Sequence, residues 1–267
     1  MKRNLIYVVA SILLLAGLLG LNQCDAGKHE QQAAVTEEPA EAEEFKLRKI
    51  HILCYGDSNT WGYNSETDSR FPFEQRWPNI LQEKLGDRYE VYADGMNGRA
   101  TIFCNPGYEY TNGLDILPAS LATHHPVDIL IFVLGTNDCL FSDFYDFDAE
   151  TIGYGMEQLV LKVEEKAVEI QEFEPKMILV VPGALGEETE RAKKDLGFGD
   201  TERQYSHELA PLYKDIARRH HCGFIDGTDV LEVSPIDCVH LTAKGQETLA
   251  ELVYEYISEE NVLSAQR

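Results

Sequence analysis

From Val127 to Leu134 the chain reads Val-Asp-Ile-Leu-Ile-Phe-Val-Leu, almost entirely aliphatic or aromatic. A run without polar alternation is expected of a strand covered on both faces, as in a parallel sheet between helix layers. A similar run spans Ile50 to Tyr55, and shorter ones span Tyr89 to Ala93, Met177 to Val181 and Gly223 to Asp226. Helical spacing separates them. Ile80, Leu81 and Leu85 share one face between Trp77 and Leu85, and Ile152, Met156, Leu159, Val160, Val163 and Val168 recur between about Thr151 and Phe173. Further helices are expected from Glu202 to His220 and, with Thr242 as N-cap, to about Ile257. Strand-helix alternation predicts an α/β fold with a parallel sheet and helices on both faces.

In such sheets ligands sit outside the carboxyl ends of the strands. Four short segments fall there. Gly56-Asp57-Ser58 follows the first strand, Asn97-Gly98-Arg99 the second and Gly135-Thr136-Asn137-Asp138 the third, while Asp237 and His240 follow the fifth. Each has a bland reading as a turn, a loop cap or a surface pair; the shared address is what joins them. A serine hydroxyl needs a base within hydrogen-bond reach, and His240 is the candidate for Ser58. Asp237 is close enough in one loop to fix the imidazole tautomer. The backbone N–H groups of Ser58 and Gly98 and the side-chain amide of Asn137 are candidate donors to a tetrahedral oxyanion. Trp61, Tyr63 and Phe141 lie beside these segments as candidate substrate-binding residues. Phe144 and Tyr145 divide evenly between pocket and packing.

The 267 residues carry a net charge of −23, which repels phosphate backbones, so nucleic acid is not an expected partner. Lys2 and Arg3 precede an apolar run from Leu5 to Leu21, so residues 1–24 read as a signal peptide or anchor and the protein as exported. Any membrane contact is expected through this segment alone. Cys24 resembles the lipidated cysteine of bacterial lipoproteins, although Gln23 stands where those carry a small residue. Residues 25–47, rich in Glu and Ala, read as an acidic flexible tether. Six cysteines in a chain this long make no disulfide scaffold; Cys54 reads as a buried apolar residue, and Cys222 and Cys238 are a candidate pair. No Cys-x-x-Cys or His-x-x-x-His pattern suggests a metal, and the doublets His124-His125 and His220-His221 read as surface or helix-end residues. The charged stretch from Leu185 to Gln204 shows no apolar face and reads as a loop at an entrance or a subunit contact.

With all four segments in order, residues 48–267 resemble the SGNH (GDSL-type) hydrolases, in particular the arylesterase and acyltransferase branch with its Gly-Asp-Ser-x-Thr-Trp-Gly opening. The resemblance implies a flavodoxin-like three-layer α/β/α sandwich with a five-stranded parallel sheet. It implies Ser58, Asp237 and His240 as a catalytic triad, with Ser58, Gly98 and Asn137 as the oxyanion hole. It implies no metal or organic cofactor, and self-association into homo-oligomers. The expected activity is hydrolysis of small acyl esters, acetyl or aryl, with acetylated glycans among the substrates and acyl transfer to alcohols as a companion reaction. A lysophospholipase or thioesterase of the same fold, and a non-catalytic surface-binding protein, are the competing readings.

Overall fold

Period-two alternation of buried side chains decides how the sheet is sandwiched. The computed structural model describes residues 48–187 and 196–259. Strand β1, Ile50–Gly56, is followed by the one-turn helix α1, Ser58–Trp61, and by an antiparallel hairpin of β2, Tyr63–Asn64, and β3, Ser69–Arg70. Helix α2, Trp77–Leu85, leads into β4, Tyr89–Gly95, and helix α3, Gly113–His124, into β5, Ile129–Val133. Short helices α4, Thr136–Leu140, and α5, Ser142–Tyr145, precede α6, Ala149–Gln171. Strand β6, Lys176–Val181, helix α7, Asp200–Arg219, strand β7, Gly223–Asp226, and helix α8, Ala243–Glu259, follow.

The sheet order is β4-β1-β5-β6-β7, with every neighbouring pair parallel. Counted along the chain, its strands run 2-1-3-4-5, the flavodoxin-like order expected, with the reversal at β1. Leu53, Tyr55, Leu130, Phe132, Leu179 and Val181 face one layer, where Leu117, Met156, Leu159, Val163 and Leu209 pack from α3, α6 and α7. The alternate residues Ile52, Cys54, Ile131, Val133, Ile178 and Val180 face the other, where Trp77, Leu81, Leu249 and Val253 pack from α2 and α8. Each such side chain, fully buried, contributes about 1.5–3 kcal/mol. The one charge in the opening run, Asp128, is buried but satisfied: Arg48 Nη1 and Nη2 donate to it at 2.7 and 2.6 Å and His51 N at 2.9 Å.

The expected strands and helices are present, with ends shifted by a few residues. Helix α3 carried no sequence expectation. Gly113 and Pro118 interrupt its helical signal, yet Asn112 Oδ1 caps it by accepting from Leu114 N and Asp115 N. Gly113 is there for close approach, since a Cβ would lie 2.5 Å from Ala100 O. Two expectations are corrected. Cys222 and Cys238 form no disulfide, because Cys222 precedes β7 whereas Cys238 lies in the loop beyond the opposite end of the sheet. The stretch from Leu185 to Gln204 is no simple loop at its described ends: Leu185 and Phe198 are in the core, and α7 begins at Asp200 with Gly199 N donating to Glu202 Oε2 at 2.8 Å. The expectations for residues 1–47, including the leader, Cys24 and the tether, lie outside the described residues. Among the described residues no helix is long and apolar enough to cross a membrane.

Gly56 and Gly95 are register partners at the carboxyl ends of β1 and β4. A Cβ on Gly95 would fall 2.1 Å from Trp61 N and 2.5 Å from Thr60 C, both backbone of α1. Gly95→Ala is therefore expected to destabilise the protein by at least about 3 kcal/mol in urea unfolding. Because the clash pushes on the helix that begins with Ser58, that helix should also shift relative to the sheet in whatever fraction remains folded. Unchanged stability would mean that α1 is free to move away from the sheet.

Candidate active site

Helix α1 is short because its residues serve a turn rather than a packing face. Asp57 is its N-cap, with Oδ1 accepting from Asn59 N at 2.8 Å, and Gly62 ends it at φ +92°. This turn leaves Ser58 at the helix start, just beyond β1. From the other end of the chain, the loop between β7 and α8 is closed by Ser234 N donating to His240 O at 2.7 Å and Cys238 N to Ser234 O at 2.8 Å. Cys238 sits in the left-handed region at φ +63°, a conformation that a non-glycine residue holds only when its surroundings fix it.

The loop delivers His240 to Ser58. His240 Nε2 lies 2.9 Å from Ser58 Oγ, and His240 Nδ1 lies 2.6 Å from Asp237 Oδ2. Asp237 Oδ1 accepts from the backbone N–H groups of Val239 and His240, both at 3.1 Å. Burial pushes the Asp237 carboxyl upward, but its hydrogen bond to His240 and these N–H groups outweigh it and hold it below the usual range. An ionised Asp237 accepts Nδ1–H, which leaves Nε2 as the acceptor for the serine proton.

Gly98 lies on a turn at φ +80°, half-buried beside Asn105, and Asn137 opens α4 from just beyond β5. The Asn137 amide donates to Arg99 O at 3.0 Å, which fixes its plane, and makes only a long 3.5 Å contact with Asp57 Oδ2. Its second hydrogen is thus weakly held and available to a stronger acceptor. Of the three candidate substrate-binding residues, Tyr63 packs on the His240 ring at 4.3 Å between centroids, tilted by 41°, with its hydroxyl donating to Asp68 Oδ1 at 3.1 Å. Trp61 carries the Arg70 guanidinium 4.8 Å from its ring centroid, and Phe141 is half-buried between α4 and α5. Tyr145 packs on Phe103 and Phe147, whereas Phe144 is 68% exposed. Among the described residues no group of three metal-ligating side chains occurs.

Sequence reading missed the groups that hold the site together. Asn59 Oδ1 accepts from Leu241 N at 2.8 Å, Gln246 Nε2 donates to Asn59 O at 2.9 Å, and Gln246 Oε1 accepts from Trp77 N at 2.9 Å. Asn and Gln are common surface residues, so nothing local marks these as buried. The N-cap role of Asp57 was available, since an Asp before a helical turn is a preferred cap. Asp138 was noted only as part of its segment; it is buried and accepts from Thr101 N and Thr101 Oγ1.

Asp57 and Asp138 are both pushed up to about 6, chiefly by burial; the charge of Asp57 adds to the rise at Asp138. A carboxyl whose folded pKa lies above its unfolded value binds its proton more tightly when folded. Its contribution favours folding at low pH and is lost as pH rises from about 4 to about 6. Asp57→Asn removes this loss while keeping an oxygen for Asn59 N. Measured by urea unfolding, the stability of the variant relative to wild type should improve by about 2–3 kcal/mol between pH 4 and pH 8. A difference that does not change with pH would mean that Asp57 stays ionised throughout.

The likeness to known proteins agrees with this geometry. Residues 54–248 match the GDSL-like Lipase/Acylhydrolase family. A carbohydrate acetylesterase family member from Sinorhizobium meliloti is 36% identical, with 79% of this chain and 98% of that one aligned at a TM-score of 0.71. Est24, a carbohydrate acetylesterase from the same organism, is 30% identical over 79% of this chain and 100% of its own, with a TM-score of 0.73. The aryl esterase of M. smegmatis is 30% identical over 79% of this chain and 99% of its own, with a TM-score of 0.72. No curated protein matches the chain. The sheet, the serine-histidine-aspartate contact and the matched residues lead to one conclusion: the chain belongs to the GDSL-like lipase/acylhydrolase family, the SGNH hydrolases, and is a hydrolase of ester bonds.

Proposed function

We propose that the protein is a serine esterase that removes small acyl groups, acetyl foremost, with Ser58, His240 and Asp237 as its triad. The observation that carries the reading is the continuous hydrogen-bonded chain Ser58 Oγ–His240 Nε2–Asp237 at 2.9 and 2.6 Å. Ser58 Oγ attacks the ester carbonyl carbon as its proton passes to His240 Nε2. The carbonyl oxygen becomes an oxyanion, taken by the N–H groups of Ser58 and Gly98 and the loosely held hydrogen of Asn137. Collapse expels the alcohol, which takes the proton from Nε2 and leaves an acyl-serine. Water then attacks the acyl carbon, its proton moves to Nε2, and the acid departs as Ser58 regains a proton.

Tyr63 forms a wall against the imidazole, and Trp61 and Phe141 flank the same segments as further walls. Acetyl groups on glycans are the natural substrate class we favour. The similarity to two carbohydrate acetylesterases supports it, as does an acidic chain with little affinity for anionic polymers. The amino-terminal basic and apolar residues support export, with the enzyme periplasmic or held at the cell envelope, by Cys24 if that residue is lipidated. Acyl transfer to alcohols is the companion reaction, with the Tyr63 ring against the imidazole as the aromatic surface that supports it.

Turnover of p-nitrophenyl esters from two to twelve carbons should be greatest at two. Ser58→Ala should lower kcat by at least about 10⁴-fold, and Asn137→Ala by about 10²–10³-fold with KM little changed. A preference for long chains would move the protein to the lysophospholipase class, and activity surviving Ser58→Ala would remove the serine mechanism. In aqueous alcohol, acid as the sole product would rule out the transfer reaction.

A further inference from the structure

Arg99 is 1% exposed, a cation buried among the segments that carry the proposed oxyanion donors. Its Nη1 donates to Gly56 O at 3.0 Å and to Asp94 O at 2.6 Å, and its Nη2 to Asp94 Oδ1 at 2.8 Å. The guanidinium stands 3.9 Å from the Tyr55 ring centroid. It therefore ties the end of β1, two residues before Ser58, to the end of β4. The chain then turns tightly: Met96 N donates to Gly56 O and Arg99 N to Met96 O, both at 3.1 Å, with Gly98 at φ +80° between them. Finally, Arg99 O accepts the Asn137 amide at 3.0 Å. Through its side chain or main chain, one residue thus holds the segment of every donor.

We propose that Arg99 is a positioning residue that sets the oxyanion site, keeping the N–H groups of Ser58 and Gly98 and the Asn137 amide aimed at one point. The inference rests on the serine-esterase reading above. Oxyanion donors act only when preorganised at hydrogen-bond distance from the developing charge. A planar guanidinium fork reaching two strand ends provides that alignment; a lysine ammonium, a point charge on a flexible stem, does not. The position carries a cost that a purely structural strut would avoid, because Arg99 Nε is buried with no hydrogen-bond partner among the described residues.

A strut that only stabilises the fold should affect catalysis equally with or without Asn137. A positioning residue acting through the donors should not. The test is a double-mutant cycle of Arg99→Lys and Asn137→Ala, with kcat and KM for p-nitrophenyl acetate measured where near-ultraviolet circular dichroism shows all proteins folded. Arg99→Lys alone is expected to lower kcat by about 10–100-fold with KM within about threefold, and its effect should shrink at least about fivefold once Asn137 is alanine. Affinity for a small alkylboronic acid, which forms a tetrahedral adduct on the serine, should fall in step with kcat/KM. Equal losses in both backgrounds, or a loss confined to KM, would overturn the proposal. Should Arg99→Lys not fold, Asp94→Ala removes the carboxylate anchor of the fork and leaves Arg99 in place. It should lower kcat by about 3–10-fold with the same dependence on Asn137, and a wild-type kcat in it would equally overturn the proposal. Ser58→Ala, run in parallel, separates the two ideas: activity surviving in it sinks the serine reading itself, whatever the cycle shows.

Discussion

The Asn59 amide joins the beginning of the fold to its end. Its Oδ1 holds Leu241 N–H, and its backbone oxygen holds the Gln246 amide, which in turn holds Trp77 N–H. Asn59 follows Ser58 and Leu241 follows His240, so this bond helps to fix the Ser58–His240 distance across 182 residues of chain. Both side chains, Asn59 and Gln246, are buried, and losing either would strand polar partners away from water. The entropic cost of bringing such distant residues together is offset elsewhere, by the two apolar layers on either side of the sheet.

Electrostatics separates three neighbouring carboxyls by what each touches. Asp237 has an imidazole and two backbone N–H groups within reach, which hold its carboxyl below the usual range despite burial. Asp57 and Asp138 are fully enclosed and near each other, and burial holds both protons to about 6. The same residue type therefore meets an imidazole in one place and serves as a helix cap or turn clamp in the others. The charge of the Arg99 guanidinium opposes the rise at Asp57 only weakly, and the guanidinium itself contacts Asp94 and the Tyr55 ring. The strong negative charge of the chain as a whole has little bearing on this chemistry. It bears on what approaches from solution, since it repels anionic polymers.

Much of this was legible in the sequence because the signals were local. The apolar runs of β1 and β5 announced strands covered on both faces, and Ser58, Gly98, Asn137, Asp237 and His240 were found at strand ends by their turn-like neighbours. What was missed had contradictory local signals or none. Helix α3 hides behind Gly113 and Pro118, whose cost is met by packing Leu117 and Leu121 into the core. Asn59 and Gln246 have the composition of surface residues, and Arg99 looks like an ordinary charge after a turn. The suggested pairing of Cys222 with Cys238 failed because nearness to a strand end does not say which end.

The sequence by itself determined the strands and most of the helices, because periodicity and turn preference act over a few neighbouring positions, and its four segments at strand ends carried the resemblance that marked Ser58, Asp237 and His240 as candidates. Only the tertiary structure decided that Ser58 and His240 meet at 2.9 Å, that Tyr63 lies on the imidazole rather than in open solvent, and that a buried arginine spans two strand ends. Those contacts depend on strand order and on how both faces of the sheet are filled. They are set by packing among residues far apart in the chain, which no local pattern records.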